Sequence, residues 1–199
     1  MNILKVRLNE RNDFLAKIYI DQGHNPQNPN AGAEGNGYRE QDLVYEIGLQ
    51  TAALLREQGQ EVRLSRPTPE AQLGTSNASS LAARVNDANT WGADYFVSLH
   101  ANASVDPNAS GSEAYVFSRG GESEALAESI LKNLSESTGL QSRGVFVRPT
   151  LYVLRRTRMP ATLIELGFIT NPSDAALMAN DPFLFALGVS NGILEYIYS

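Results

Sequence analysis

Short runs rich in β-branched and aromatic residues recur along the chain, at 18 to 21 (IYID), 61 to 65 (EVRLS), 94 to 99 (DYFVSL), 111 to 117 (GSEAYVF) and 161 to 166 (ATLIEL), and amphipathic stretches alternate with them. This rhythm constrains the fold more than any other feature. It is the pattern of strands joined by crossover helices, and it specifies an α/β domain. Weaker strand candidates lie at 3 to 8 and 151 to 154. Between the first two strands, Leu43, Val44, Ile47, Leu54 and Leu55 share one helical face, and Gly59 supplies the C-terminal stop. A second helix is expected from Leu81 to Trp91, stopped by Gly92. A third runs from Glu124 to Ser137, with Leu126, Ile130, Leu131 and Leu134 inward and Gly139 as its stop. Asp181 and Pro182 form an N-cap and first-turn pair that opens a last helix through Ile197.

A chain of 199 residues with 42% hydrophobic content can bury one substantial core, so one domain is expected. The formal charge of -6 argues against a phosphate-backbone partner, so no nucleic acid is expected. With no cysteine in the chain, any metal must be held by His, Asp or Glu. The N-terminal MNILKVRLNERNDFLAK lacks the continuous apolar core of a secretory signal. Nor does any segment reach the roughly 18 uninterrupted apolar residues of a membrane helix. A soluble chain is expected, and a mature form, a trimmed catalytic domain and signal-less export all fit it.

Both histidines stand at the end of a predicted strand: His24 follows IYIDQG and His100 follows DYFVSL. If both strands belong to one parallel sheet, both imidazoles emerge at its carboxyl edge, where open α/β sheets collect ligands. Each could instead be a hydrogen-bonded strand-end histidine. Glu40 opens the first long helix after the Gly/Asn/Pro-rich loop 22 to 39, so it should return to the same edge. A carboxylate in a first turn is favoured by the helix dipole alone, but His, Glu and His is also a donor set of catalytic zinc. Glu34 and Asp21 compete for that role, and Asp21 suits better an acceptor orienting an imidazole or a turn residue. Glu165 lies inside ATLIELGFI, where an uncompensated buried carboxylate is costly. It is either an edge-strand residue facing solvent or a general acid/base tuned by burial.

The blocks IYIDQGH, YREQDLVYEIGLQTAALLREQGQEVRLSRP, LAARVNDANTWGADYFVSLHANAS and LYVLRRTRMPATLIELGFITNPSDAALM together resemble the zinc-dependent N-acetylmuramoyl-L-alanine amidases of the Amidase_3 type. The resemblance runs from about Lys17 to the C-terminus and keeps the blocks in order. It implies a twisted, mostly parallel sheet with helices on both faces, residues 1 to 17 forming a lead or extra strand and 18 to 199 the catalytic domain. It implies that His24, Glu40 and His100 bind Zn2+ and that Glu165 is the catalytic acid/base. It also implies hydrolysis of the bond between N-acetylmuramic acid and L-alanine in peptidoglycan, at the bacterial cell wall. The loop GHNPQNPNAGAEGNG keeps AGA but lacks the Asp often found there in relatives, which bears on substrate preference.

Other residues carry weaker expectations. Asn102 should serve the SLHAN turn before any substrate, Arg84 a structural ion pair, and Arg155 and Arg156 either solvent or stem-peptide carboxylates. Two further readings compete: a catalytically silent peptidoglycan-binding or regulatory module, which would have no use for Glu165, and a metal-free glycosidase using Glu40 and Glu165. The second would leave both histidines without a role. Oligomeric state, stem-peptide preference and biological setting, whether cell separation, spore-related or phage lysis, are not specified by the sequence.

Overall fold

In the computed structural model of this chain, which describes residues 15 to 199, the strand and helix runs form one α/β domain. The strands are β1 (Lys17–Gln22), β2 (Glu34–Gly35), β3 (Tyr38–Arg39), β4 (Glu61–Leu64), β5 (Tyr95–Asn102), β6 (Ser112–Val116), β7 (Ser142–Val147) and β8 (Ala161–Phe168). The helices are α1 (Glu40–Glu57), α2 (Asn77–Trp91), α3 (Glu122–Thr138), α4 (Tyr152–Arg156), α5 (Pro172–Asn180) and α6 (Pro182–Ile197). Six strands make the main sheet in the order β4-β1-β5-β8-β6-β7. The four strands β4, β1, β5 and β8 are mutually parallel, and β6 joins β8 antiparallel, with β7 parallel to β6. The mostly parallel sheet is thus expected and found.

Period-2 alternation along the strands divides the core in two. On one face Ile18, Ile20, Val97, Leu99, Ala114, Ile164 and Leu166 meet Leu43, Val44 and Ile47 of α1, Leu126 and Ile130 of α3 and Val189 and Ile193 of α6. On the other, Tyr19, Phe96 and Leu163 meet Val85 and Ala88 of α2 and Val153 and Leu154 of α4. Leu54, expected on the inner face of α1, is only half-buried, whereas Ala52 and Leu55 are sealed.

The structure differs from the sequence reading at several elements. The candidate strand at 151 to 154 is helix α4, because a short apolar run cannot distinguish the two and Val153 and Leu154 are buried on consecutive positions, as a helix allows and a strand covered on one face does not. The α2 helix starts four residues before the expected Leu81, where Ser76 and Ser79 form a capping box in a polar stretch with no apolar period. The β2-β3 hairpin turns at Asn36 and Gly37, with φ 52 and φ 84, the pair that a type I′ turn demands. The candidate strand at 3 to 8 lies outside the described residues. Among the described residues, no helix is long and apolar enough to cross a membrane.

Helices α3 and α6 pack backbone to backbone. A Cβ added at Gly192 would lie 2.4 Å from Ile130 Cα and 2.8 Å from Ile130 N. Glycine costs a helix interior about 1 kcal/mol relative to alanine, so Gly192→Ala would be stabilising on an isolated helix. Here the clash is with backbone and cannot be relieved by a rotamer, and overpacking of about 1–3 kcal/mol outweighs that gain. Gly192→Ala is therefore expected to lower the denaturant midpoint without changing the m-value, and an unchanged or raised midpoint would contradict this packing.

Candidate metal centre

Strands β1 and β5 lie side by side and in parallel, with Gln22 opposite Leu99, so both end at the same sheet edge. The Gly23 N–H donates to the Leu99 carbonyl at 3.0 Å, carrying the pairing one residue further. Only glycine fits at this point: a Cβ on residue 23 would sit 2.6 Å from His100 Cε1 and 2.6 Å from the Leu99 carbonyl oxygen. His24 then adopts φ 65, a left-handed conformation uncommon outside glycine.

Arg84 of α2 holds that turn in place. It is 1% exposed, and one guanidinium nitrogen donates to Asp21 Oδ1 at 2.5 Å and to the Gln22 carbonyl at 2.6 Å, while the other donates to the His24 carbonyl. Burial would push the Asp21 carboxyl up, but the Arg84 charge and the Ser98 hydroxyl, which donates at 2.7 Å, outweigh it and hold the group below the usual carboxylate range. The expected structural ion pair of Arg84 is found. Of the two roles expected for Asp21, it does not orient an imidazole: its oxygens are taken by Arg84 and Ser98, and through Arg84 it supports the backbone turn at His24.

Glu40, 4% exposed, is the first residue of α1. Its Oε2 accepts from the Ala33 N–H at 2.9 Å, and Oε1 from the Ala101 N–H at 3.0 Å. The same Oε1 lies 3.0 Å from His24 Nε2 and 2.9 Å from His100 Nδ1. The two rings meet edge to face, with centroids 4.8 Å apart at 77°. One donor atom from each of His24, Glu40 and His100 falls within 4.8 Å of the other two, a group that could hold a metal ion. Burial raises the proton affinity of Glu40, yet the hydrogen bonds and charges of His100 and His24 prevail and keep it ionised far below the usual range. The second nitrogen of His24, Nδ1, is buried and has no hydrogen-bond partner among the described residues. Glu34, the competing ligand, points away: its side chain is 70% exposed and pairs with Arg39 at 3.8 Å.

On the next strand, Glu165 of β8 is the direct partner of His100 of β5. Its neighbours along the strand are buried, and although the residue keeps some exposure, its Oε2 is sealed from solvent and has no hydrogen-bond partner among the described residues. Burial, then the negative charges of Glu40 and Glu113, push its proton affinity well above that of an ordinary glutamate. Glu113 of β6 lies opposite Glu165 across the antiparallel pair. Its Oε1 accepts from Asn102 Nδ2 at 2.8 Å and from the Tyr115 hydroxyl, and its Oε2 from Arg143 Nε at 2.8 Å. Asn102 also accepts the Ala103 N–H at 2.8 Å, so it serves the turn as expected and ties it to Glu113.

Glu113 was not singled out in the sequence, although it carries the signal that identifies Glu165. Both are lone carboxylates in apolar strands, and period 2 places Glu113 and Tyr115 on one face of β6.

Residues 18 to 195 match the family Amidase_3, described as N-acetylmuramoyl-L-alanine amidase. The N-acetylmuramoyl-L-alanine amidase LytC of Bacillus subtilis (strain 168) is 37% identical over 161 residues, which cover 80% of this chain and 30% of that protein. The N-acetylmuramoyl-L-alanine amidase CwlM of Bacillus licheniformis is 35% identical over 188 residues, covering 90% of this chain and 68% of the relative. The crystal structure of an N-acetylmuramoyl-L-alanine amidase from Clostridium difficile 630 superposes with a TM-score of 0.83 at 30% identity, covering 93% of this chain and 98% of the other. The chain therefore spans less than a third of LytC and most of the other two.

Proposed function

Because this chain belongs to the Amidase_3 family of N-acetylmuramoyl-L-alanine amidases, which are hydrolases, we propose that it cuts the amide bond between N-acetylmuramic acid and L-alanine in cell-wall peptidoglycan, with zinc as its metal. The observation that carries this reading is the aim of two imidazole nitrogens at one carboxylate oxygen, beside a half-buried glutamate on the adjoining strand.

The donor set fits zinc. Two imidazoles and one carboxylate are ligands that catalytic zinc takes while keeping a fourth position open. His24 Nε2 and His100 Nδ1 lie 3.0 and 2.9 Å from one Glu40 oxygen, close enough for the three side chains to share one ion. His24, Glu40 and His100 would hold the ion, with Arg84 fixing the His24 turn and the Ala33 and Ala101 amides fixing the carboxylate. When bound, such an ion supplies Lewis acidity toward a water molecule and the scissile carbonyl.

Glu165 performs the proton transfers. Its raised proton affinity brings it toward the working pH, where a carboxylate can both accept and return a proton. It takes the proton of the attacking water as the carbon-oxygen bond forms, and gives it to the amide nitrogen as the carbon-nitrogen bond breaks. The products are a lactyl carboxylate on the sugar and the free α-amino group of L-alanine.

The test is the identity of the new ends. Purified peptidoglycan treated with the protein should gain free N-terminal L-alanine, and a chelator should stop the gain. New reducing sugar ends that survive chelation would contradict the reading and favour the two-carboxylate glycosidase.

A further inference from the structure

The chain is acidic as a whole, with a formal charge of -6, yet from Ser137 to Ile164 it contains five arginines, Arg143, Arg148, Arg155, Arg156 and Arg158, and no Asp or Glu. So local a reversal needs a cause. Part of this segment borders the sheet face that carries Glu165. Tyr115 of β6 and Phe146 of β7 are register partners, and their rings lie 6.4 Å apart. Phe146 is 37% exposed, and Phe117, two residues beyond Tyr115, is 45% exposed. Arg148 is exposed, and its guanidinium carbon sits 5.1 Å above the Tyr115 ring, with one nitrogen donating to the Val147 carbonyl at 3.3 Å. Among the described residues, no carboxylate comes within ion-pair distance of it. Arg143, by contrast, is already paired to Glu113.

From these placements we propose that Arg148, on a platform made by Tyr115 and Phe146, is a subsite for a carboxylate of the stem peptide, and that it sets which stems the protein prefers. The inference rests on the amidase reading above and adds to it a recognition element. Three features support it. The Tyr115 ring face beneath the guanidinium limits the positions it can take, so less freedom is lost when its fork meets a carboxylate. The platform is continuous with the reaction site, because Tyr115 pairs with Leu163, two residues from Glu165 on the same face of β8. Diagonal neighbours in a sheet lie about 7–8 Å apart, the span of roughly two extended residues, so a peptide anchored at its first residue by the scissile bond can reach the Tyr115 ring, against which the Arg148 guanidinium rests. Finally, the stem peptide is anionic and the segment is the most cationic of the chain.

The experiment compares N-acetylmuramoyl stem peptides bearing free carboxylates with the same stems amidated, and with N-acetylmuramoyl-L-alanine carboxamide as the shortest substrate. The wild-type zinc protein is expected to show about a tenfold lower KM for the free stem than for the amidated one, the size of one partly exposed charge-assisted contact, with kcat little changed. In Arg148→Met the two KM values converge, and Arg148→Lys keeps part of the preference. A preference that persists in Arg148→Met, or is absent from the wild type, would overturn the subsite while leaving the amidase reading intact. Wild-type protein that frees N-terminal L-alanine from none of the three substrates would overturn both.

Discussion

Glu165→Gln is expected to reduce turnover by about 10²–10⁴-fold, the usual contribution of a positioned general acid/base, while the metal site and the fold survive. The amide replaces the carboxylate in nearly the same volume and leaves β8 and its pairing with β5 undisturbed. It cannot accept the water's proton. The variant should also reveal what the native residue costs. The carboxylate of Glu165 has one oxygen sealed from solvent and without a partner among the described residues, and it feels the negative charges of Glu40 and Glu113, so its ionised form destabilises the folded state.

The sign of the pH dependence follows. Because proton affinity is raised in the folded protein, the penalty of the charged form is present at pH values above the folded pKa. It declines as the pH falls through that pKa and is gone below the unfolded value of about 4.3. In metal-free protein, Glu165→Gln should therefore melt no lower than the wild type at neutral pH, with any gain vanishing in acid. Loss of turnover with equal or greater stability identifies a group placed for chemistry. Full activity in Glu165→Gln would mean that another group moves the proton.

His100→Ala is expected to abolish both metal binding and turnover. It removes one of three donors and leaves Glu40 with only His24 to share an ion, too few ligands for a catalytic site. The apoprotein should still fold, since Glu40 keeps the Ala33 and Ala101 amides as donors. The distinction is read by thermal melting with and without added zinc. An ion that binds only the folded protein stabilises it by about 2.7 kcal/mol at a hundredfold excess over Kd, so zinc should raise the wild-type midpoint and not that of His100→Ala. Equal shifts in both proteins would place the ion elsewhere.

Much of this was legible in the sequence, for physical reasons. Strands that are buried on both faces, such as IYID and DYFVSL, announce themselves as apolar runs, and the glycines at 59, 92 and 139 mark helix ends because they adopt left-handed backbone there or just beyond. The candidate site was legible because His24 lies just past the end of β1, His100 lies near the end of the adjacent parallel strand β5, and Glu40 follows the connecting loop. What stayed hidden depends on tertiary contact. Period 2 says that Glu113 faces one side of β6, but only the antiparallel pairing with β8 makes it a neighbour of Glu165. Likewise, Arg84 was expected to make an ion pair, while its grip on the His24 carbonyl requires the left-handed turn that the sequence does not display. The tail of SRGVFV is too exposed to advertise itself as the strand β7 that it becomes.

Convergence of His24, Glu40 and His100 on one zinc ion is tested most directly by anomalous scattering at the zinc edge from crystals of the metal-loaded protein. The expected result is a single strong peak about 2.0–2.2 Å from His24 Nε2, His100 Nδ1 and a Glu40 carboxylate oxygen, absent from His100→Ala and retained in Glu165→Gln. No peak at these three side chains, or a peak held by other residues, would contradict the account.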